Sequence, residues 1–170
     1  MSVAQKLYES GKITYMRTDS VNLSSLAINT AKKTILDEFG EKYHTVRKYR
    51  TKSKGAQEAH EAIRPTYIEN KDIDGGAQEK KLYDLIRKRT VASQMSNAEI
   101  EKTTATISMS GSKDAFTAVG EVIKFEGFLK VYSETREDDS DEKVITILPP
   151  LNQGQKMNCL SINATQRFTQ

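Results

Sequence analysis

Cysteine occurs once in the 170 residues, at Cys159, so the chain can build neither an internal disulfide framework nor a Cys-based zinc site. A lone thiol fits a reducing compartment such as the cytosol. Histidine is almost as scarce. His44 and His60 are the only two, which argues against a multi-His metal centre. No apolar run reaches the length of a membrane-spanning helix, the N-terminus carries no signal-peptide pattern, and no segment repeats. Charge of one sign is also nearly lacking, with a net of only +3.

What is present is polar: 36% hydrophobic and 29% charged residues, in a chain long enough for one large domain or two small ones. The charge is unevenly spread. Residues 1–95 hold 18 Lys and Arg against 12 Asp and Glu, whereas residues 96–170 hold 8 against 11. The densest basic run is Arg47 to Lys54, with five cations in eight residues. A polyanionic partner would therefore meet the first part, although such a run also serves as an ordinary solvated loop.

Periodicity divides the chain near residue 97 into a helical part, 1–96, and an antiparallel β part, 97–170, an α+β organisation. Val3 to Glu9 reads as a helix stopped by Gly11, and Lys12 to Tyr15 as a short extended segment. The first helix starts abruptly after Met1-Ser2, as in a chain cut from something longer. Ser24-Ser25 caps a second helix whose stripe is Ile28, Ala31, Ile35 and Phe39, ended by Gly40. Gln57 to Ile63 predicts about two helical turns before Pro65. Gln78 to Gln94 predicts a longer helix with Leu82, Leu85 and Ile86 on its apolar side. Beyond Met95 the period becomes two. Strands are expected around Ala105–Met109 and Phe116–Val122, with a bend at Gly120, then over Phe128–Tyr132, Lys143–Leu148 and Lys156–Ile162. The acidic stretch Glu134 to Glu142, which includes Asp139 and Asp141, reads as a solvated connection rather than a magnesium site. Asp72 and Asp74 fail as a metal motif for similar reasons.

Tyr15 stands in Ile13-Thr-Tyr-Met-Arg-Thr-Asp-Ser20. A tyrosine at a strand end is commonly a packed ring with its hydroxyl at the surface. The company of this one allows a second reading. In an extended segment Arg17 points to the same side as Tyr15, and Thr18, Asp19 and Ser20 replace the apolar residues of a core strand. A phenol has a pKa near 10, so only about one part in a thousand is ionised at neutral pH. A neighbouring guanidinium favours the phenolate, grips a phosphate and opposes the charge that grows on it during transfer. Asp19 would orient Arg17 or another cation. A second constellation is Gln57-Glu-Ala-His-Glu-Ala-Ile-Arg-Pro65, where His60 and Arg64 share a helical face. Alone, that pair reads more readily as an ordinary helix surface.

The two segments, in this order, resemble signature motifs of the type IA DNA topoisomerases, and Met16 resembles the bacterial topoisomerase I branch. The resemblance implies an α+β chain made of a helical domain bearing the active-site tyrosine and part of a β-rich arch. It implies that Tyr15 attacks a phosphodiester of one DNA strand and retains the 5′ end as phosphotyrosine, leading to relaxation of negative supercoils. It further implies that Arg17 contacts the scissile phosphate and that His60 and Arg64 lie close by on the DNA. The implied partners are single-stranded or negatively supercoiled DNA and the remaining domains of the same enzyme, in the bacterial cytoplasm at the nucleoid. The implied cofactor is Mg2+, held by a TOPRIM domain whose carboxylates this sequence does not contain, so the chain alone is expected to be inactive. Two other classes compete: a non-catalytic nucleic-acid-binding module using the 47–54 run, and a docking domain built on the β part.

Overall fold

A computed structural model describes residues 2–49, 61–132, 147–164 and 166. The described elements are three α-helices, two β-strands and two one-turn 3-10 helices, an α+β composition. Helix α1 spans Ser2–Glu9, α2 Ser25–Phe39 and α3 Ala77–Ser93, while β1 covers Glu99–Ser108 and β2 Ala115–Phe125. Two compact units result: residues 1–100 with 123–140, and residues 101–122 with 141–170.

The helices form where local chemistry asks for them. Ser24 caps α2 by accepting from Ala27 N at 3.3 Å, and Gly40, at φ 92°, ends it by donating to Ile35 O and Leu36 O. Glu79 reaches back to accept from Gly76 N at 2.8 Å at the start of α3. The buried face of α3 is Tyr83, Arg87, Thr90 and Val91. Leu85, expected inside, is 43% exposed. Arg87 takes the inner position because its head finds partners there: Nε donates to Ile68 O and Nη2 to Glu38 Oε1, both at 2.8 Å.

Two apolar clusters make the core of the first unit. One joins Ala31, Ile35, Tyr43, Ile68, Val91 and Met95, with Phe125, Phe128 and Val131 packed against it. The other joins Leu7, Ile13, Ile73 and Tyr83. Buried Gln94 ties the end of α3 to the 45–47 segment, accepting from Arg47 N at 3.2 Å and donating to Arg47 O at 3.1 Å.

Strands β1 and β2 pair as a two-stranded antiparallel hairpin. β2 runs unbroken through Gly120, where the sequence had pointed to a bend. Phe128 to Tyr132 departs from the expected strand. Residues Gly127–Lys130 form a 3-10 turn, because Gly127 reverses the chain at φ 52° and Phe128 and Val131, three apart, both reach the core. A β-carbon on Gly127 would collide with the backbone of Asn97 and Ala98. Residues 156–162 and 147–148 also lie outside any strand, since period-2 alternation yields a strand only when a neighbour supplies the ladder. Residues 143–146 and the acidic 134–142 stretch fall outside the described residues.

Candidate nucleophile segment

The Tyr15 segment is stitched to residues 61–66 across some fifty positions of sequence. Ile13 pairs with Pro65 in an isolated antiparallel bridge. Thr14 N donates to Arg64 O and Thr66 N to Lys12 O, both at 2.9 Å. The Thr14 hydroxyl completes the seam: Oγ1 donates to Ala62 O at 2.8 Å and accepts from Arg64 N at 2.9 Å. Ala62 N donates to Asn22 O at 2.7 Å on the far side of the tyrosine. Ala62 gives its backbone groups to Thr14 and Asn22, and residues 61–63 are not helical, while residues 57–60 of the expected two turns lie outside the described residues. Arg64 precedes a proline, which disfavours helical backbone at that position.

Tyr15 thus emerges from a backbone fixed on both sides, between buried Ile13 (2% exposed) and buried Ser20 (6%), while its own ring is 41% exposed. Its edge meets the ring of Tyr8, with centroids 5.2 Å apart and planes at 63°. Three more tyrosines have different surroundings. Tyr43 is core, Tyr49 donates to Ser93 O at 2.9 Å, and Tyr83 shares its proton between Asn70 O and Tyr67 O. Burial pushes the Tyr83 phenol up, the reverse of what a nucleophile needs.

Arg17 Nε lies 3.6 Å from Asp19 Oδ2, so Asp19 does face the cation that the sequence paired it with. Asp19 Oδ1 is turned inward and meets no hydrogen-bond partner among the described residues. Arg64 is more enclosed. Its side chain is 12% exposed, Nη2 sits 2.6 Å from Glu61 Oε2 and Nη1 donates to Pro65 O at 2.9 Å. Glu61 was not singled out by sequence reasoning, yet it clasps three segments: its Oε1 accepts from Ser24 N at 2.6 Å at the cap of α2. Burial pushes the Glu61 carboxyl up, but the hydrogen bonds from Arg64 and Ser24 outweigh it and hold the group below the usual carboxylate range. Its sequence signal was only a Glu three residues before an Arg. His60 lies outside the described residues, as do Arg50 to Lys54 of the basic run.

Behind the segment lies a largely apolar cleft of about 550 Å³, lined among others by Met16, Thr18, Ser20, Leu82, Ile86 and Arg89. The alternation is informative. Residues 16, 18 and 20 face the cleft, and Tyr15, Arg17 and Asp19 do not line it. Among the described residues no group of three or more His, Cys, Asp or Glu side chains could hold a metal ion. The magnesium that the resemblance implies therefore finds no fitting ligand set among the described residues.

The sequence profile of the family described as DNA topoisomerase matches residues 1–170. The chain belongs to the DNA topoisomerase family. Its relatives place it in the bacterial topoisomerase I branch of the type IA topoisomerases. It is 43% identical to DNA topoisomerase 1 of Synechocystis sp. over 100% of this chain and 20% of that protein. It is 39% identical to DNA topoisomerase 1 of Pseudomonas aeruginosa over 99% of this chain and 19% of the relative. Among solved structures, full-length topoisomerase I of Thermotoga maritima superposes with a TM-score of 0.71 at 34% identity, covering 91% of this chain and 25% of that one. This topoisomerase chain thus spans about a fifth of the length of the relatives it matches.

Proposed function

We propose that Tyr15 is the nucleophile with which the topoisomerase breaks one DNA strand. The phenolate oxygen attacks the phosphorus, the bond to the 3′ oxygen breaks, and the 3′ end leaves as a hydroxyl while the 5′ end stays on Tyr15 as an ester. The reverse attack by that 3′ hydroxyl reseals the strand and returns the phenol, so no external energy source enters. Repeated cycles relax negative supercoils. The observation that carries this reading is an exposed phenol on a backbone anchored at both ends, two residues before Arg17 in the sequence. That is the arrangement in-line attack requires, because positioning supplies much of the rate in phosphoryl transfer.

Arg17 would hold the scissile phosphate and Asp19 would orient Arg17. His60 and Arg64 would contribute DNA contacts nearby, with Arg64 reaching a phosphate only if it exchanges its partner Glu61 for one. The helical domain 1–96 would carry this site and 97–170 would form part of the arch. The partners would be single-stranded or negatively supercoiled DNA and the remaining domains of the enzyme, acting in the bacterial cytoplasm at the nucleoid. The cofactor would be Mg2+, bound by those other domains. No described helix is long and apolar enough to cross a membrane.

The test is Tyr15→Phe in the intact enzyme, with covalent protein–DNA adduct on a labelled single-stranded oligonucleotide as the readout. Adduct should vanish while non-covalent DNA binding persists. Adduct formation by the Phe variant would assign the nucleophile elsewhere. The 170-residue chain by itself, given magnesium and plasmid, should leave supercoils unrelaxed.

A further inference from the structure

The chain on either side of Tyr15 rests on one short strap, residues 61–66. Before the tyrosine, Thr14 N donates to Arg64 O at 2.9 Å and Thr14 Oγ1 to Ala62 O at 2.8 Å. After it, Ala62 N donates to Asn22 O at 2.7 Å and Ser24 N to Glu61 Oε1 at 2.6 Å. Residues 15–21, with Tyr15, Arg17 and Asp19, therefore form a loop whose two ends share a support. Glu61 stands at the end of the strap that holds Asn22 and Ser24, and Arg64 at the end that holds Thr14. Their side chains close on each other. Glu61 Oε2 accepts from Arg64 Nη2 at 2.6 Å, and Arg64 Nη1 donates to Pro65 O at 2.9 Å. The Arg64 side chain is only 12% exposed, and its Nε, without a partner among the described residues, is buried.

We propose that Glu61 is a positioning residue for the nucleophile, acting through the span of the loop that carries it. This rests on the reading of Tyr15 as the nucleophile. The strap belongs to no helix or longer strand that would stiffen it from Glu61 to Arg64. The carboxylate braces it instead. One oxygen serves Ser24 and the other Arg64, so a single group ties both ends of the strap to the cap of α2. Hydrogen bonds to an ionised group are about twice as strong as neutral ones. In-line attack is sensitive to such a brace, because a misplacement of about 1 Å can cost roughly a hundredfold in rate. Glu61 acts on the backbone beneath Tyr15 and not on its ring. A phosphate that drew Arg64 away from Glu61 would undo the brace, so a brace and a DNA contact give opposite signs in one experiment.

The experiment is single-turnover cleavage of a labelled single-stranded oligonucleotide by the intact topoisomerase, with DNA affinity, its salt dependence and melting temperature measured alongside. The variants are Glu61→Gln, Arg64→Gln, the two combined, and Tyr15→Phe. Glu38→Gln, which weakens the enclosed Arg87–Glu38 pair at the other end of α2, is the stability control. Glutamine keeps one acceptor oxygen and so loses one of the two bonds. Glu61→Gln should slow adduct formation at saturating DNA by about tenfold, with affinity changed less than about threefold. Arg64→Gln should do the same, and the combined variant should be no slower than the slower single one. Should Glu61→Gln fold poorly, Glu61→Asp keeps the charge, shortens the reach and should show the same slowing. Glu38→Gln should melt earlier yet cleave at the wild-type rate. Wild-type cleavage by Glu61→Gln overturns the proposal. So does equal slowing by Glu38→Gln, which would assign the effect to lost stability. So does tighter DNA binding by Glu61→Gln with weaker, less salt-dependent binding by Arg64→Gln, since Arg64 would then leave Glu61 for a phosphate. Adduct formation by Tyr15→Phe would instead sink the reading of Tyr15, so the two failures are distinguishable.

Discussion

Thr14 does more for the segment than its plain side chain announced. One hydroxyl donates to Ala62 O and accepts from Arg64 N, and both partners belong to the second motif. Thr14→Val keeps the shape but leaves the Arg64 amide without its acceptor. The expected cost is about 1–3 kcal/mol in urea unfolding, with Thr14→Ser losing much less. Neither role could be read from the chain, because the bond spans 48 to 50 positions. The alternation of the segment was legible for the opposite reason: it is local, and period two sends Met16, Thr18 and Ser20 to the cleft while Tyr15, Arg17 and Asp19 do not line it. Glu61 offers a pH test. Its carboxyl is held below its ordinary value in the folded chain, so the stability it contributes is present above the unfolded value of about 4.3. That stability is lost as pH falls through the lowered folded value. Chemical denaturation between neutral pH and pH 3 should therefore show a drop that Glu61→Gln lacks.

The helices were legible as elements, since α2 and α3 carry their own caps and stops. Which face α3 buries was not. An arginine in the buried position is intelligible only once Ile68 O and Glu38 are seen to meet it. Arg87→Ala would strand Ile68 O and leave Glu38 with only the exposed Lys71, 3.4 Å away. Removing one partner of so enclosed a pair should cost about 3 kcal/mol or more by thermal or chemical unfolding. Ser24→Ala should cost about 1 kcal/mol through the cap of α2. Because Ser24 N also meets Glu61, the serine's backbone would keep that second link and only the capping bond would go. The hairpin shows the other limit. β1 and β2 were legible because they pair with each other across a short turn, whereas 156–162 had the same alternation and no described neighbour to complete it.

At the scale of the whole molecule, protection is unevenly distributed. The first unit holds both apolar clusters, while the hairpin exposes Ile100, Phe116, Val119, Val122 and Ile123. Two-stranded hairpins are only marginally stable without a covering layer. Amide hydrogen exchange of the isolated chain should therefore find the centres of α2 and α3 slowest, with β1 and β2 exchanging markedly faster. Equal protection of helices and hairpin would show that the sheet has found cover. The basic first half and the acidic second half make a related expectation for DNA. Binding by the isolated chain should weaken steeply with added salt, and charge-neutral substitutions at Arg47 and Lys48 should flatten that dependence.

The crossing at Gly127 has a last consequence. The chain leaves the helical unit at Ser96–Ala98 and returns at Gly127–Phe128, where Phe128 N donates to Ser96 O at 2.9 Å and glycine alone avoids the opposing backbone. Exit and return share one doorway. Whatever is strung between those two points enters and leaves by it, so a change of length in the intervening hairpin need not disturb that crossing. A hairpin lengthened or shortened at its turn should therefore leave the backbone seam beneath Tyr15, on the near side of that threshold, with its own contacts.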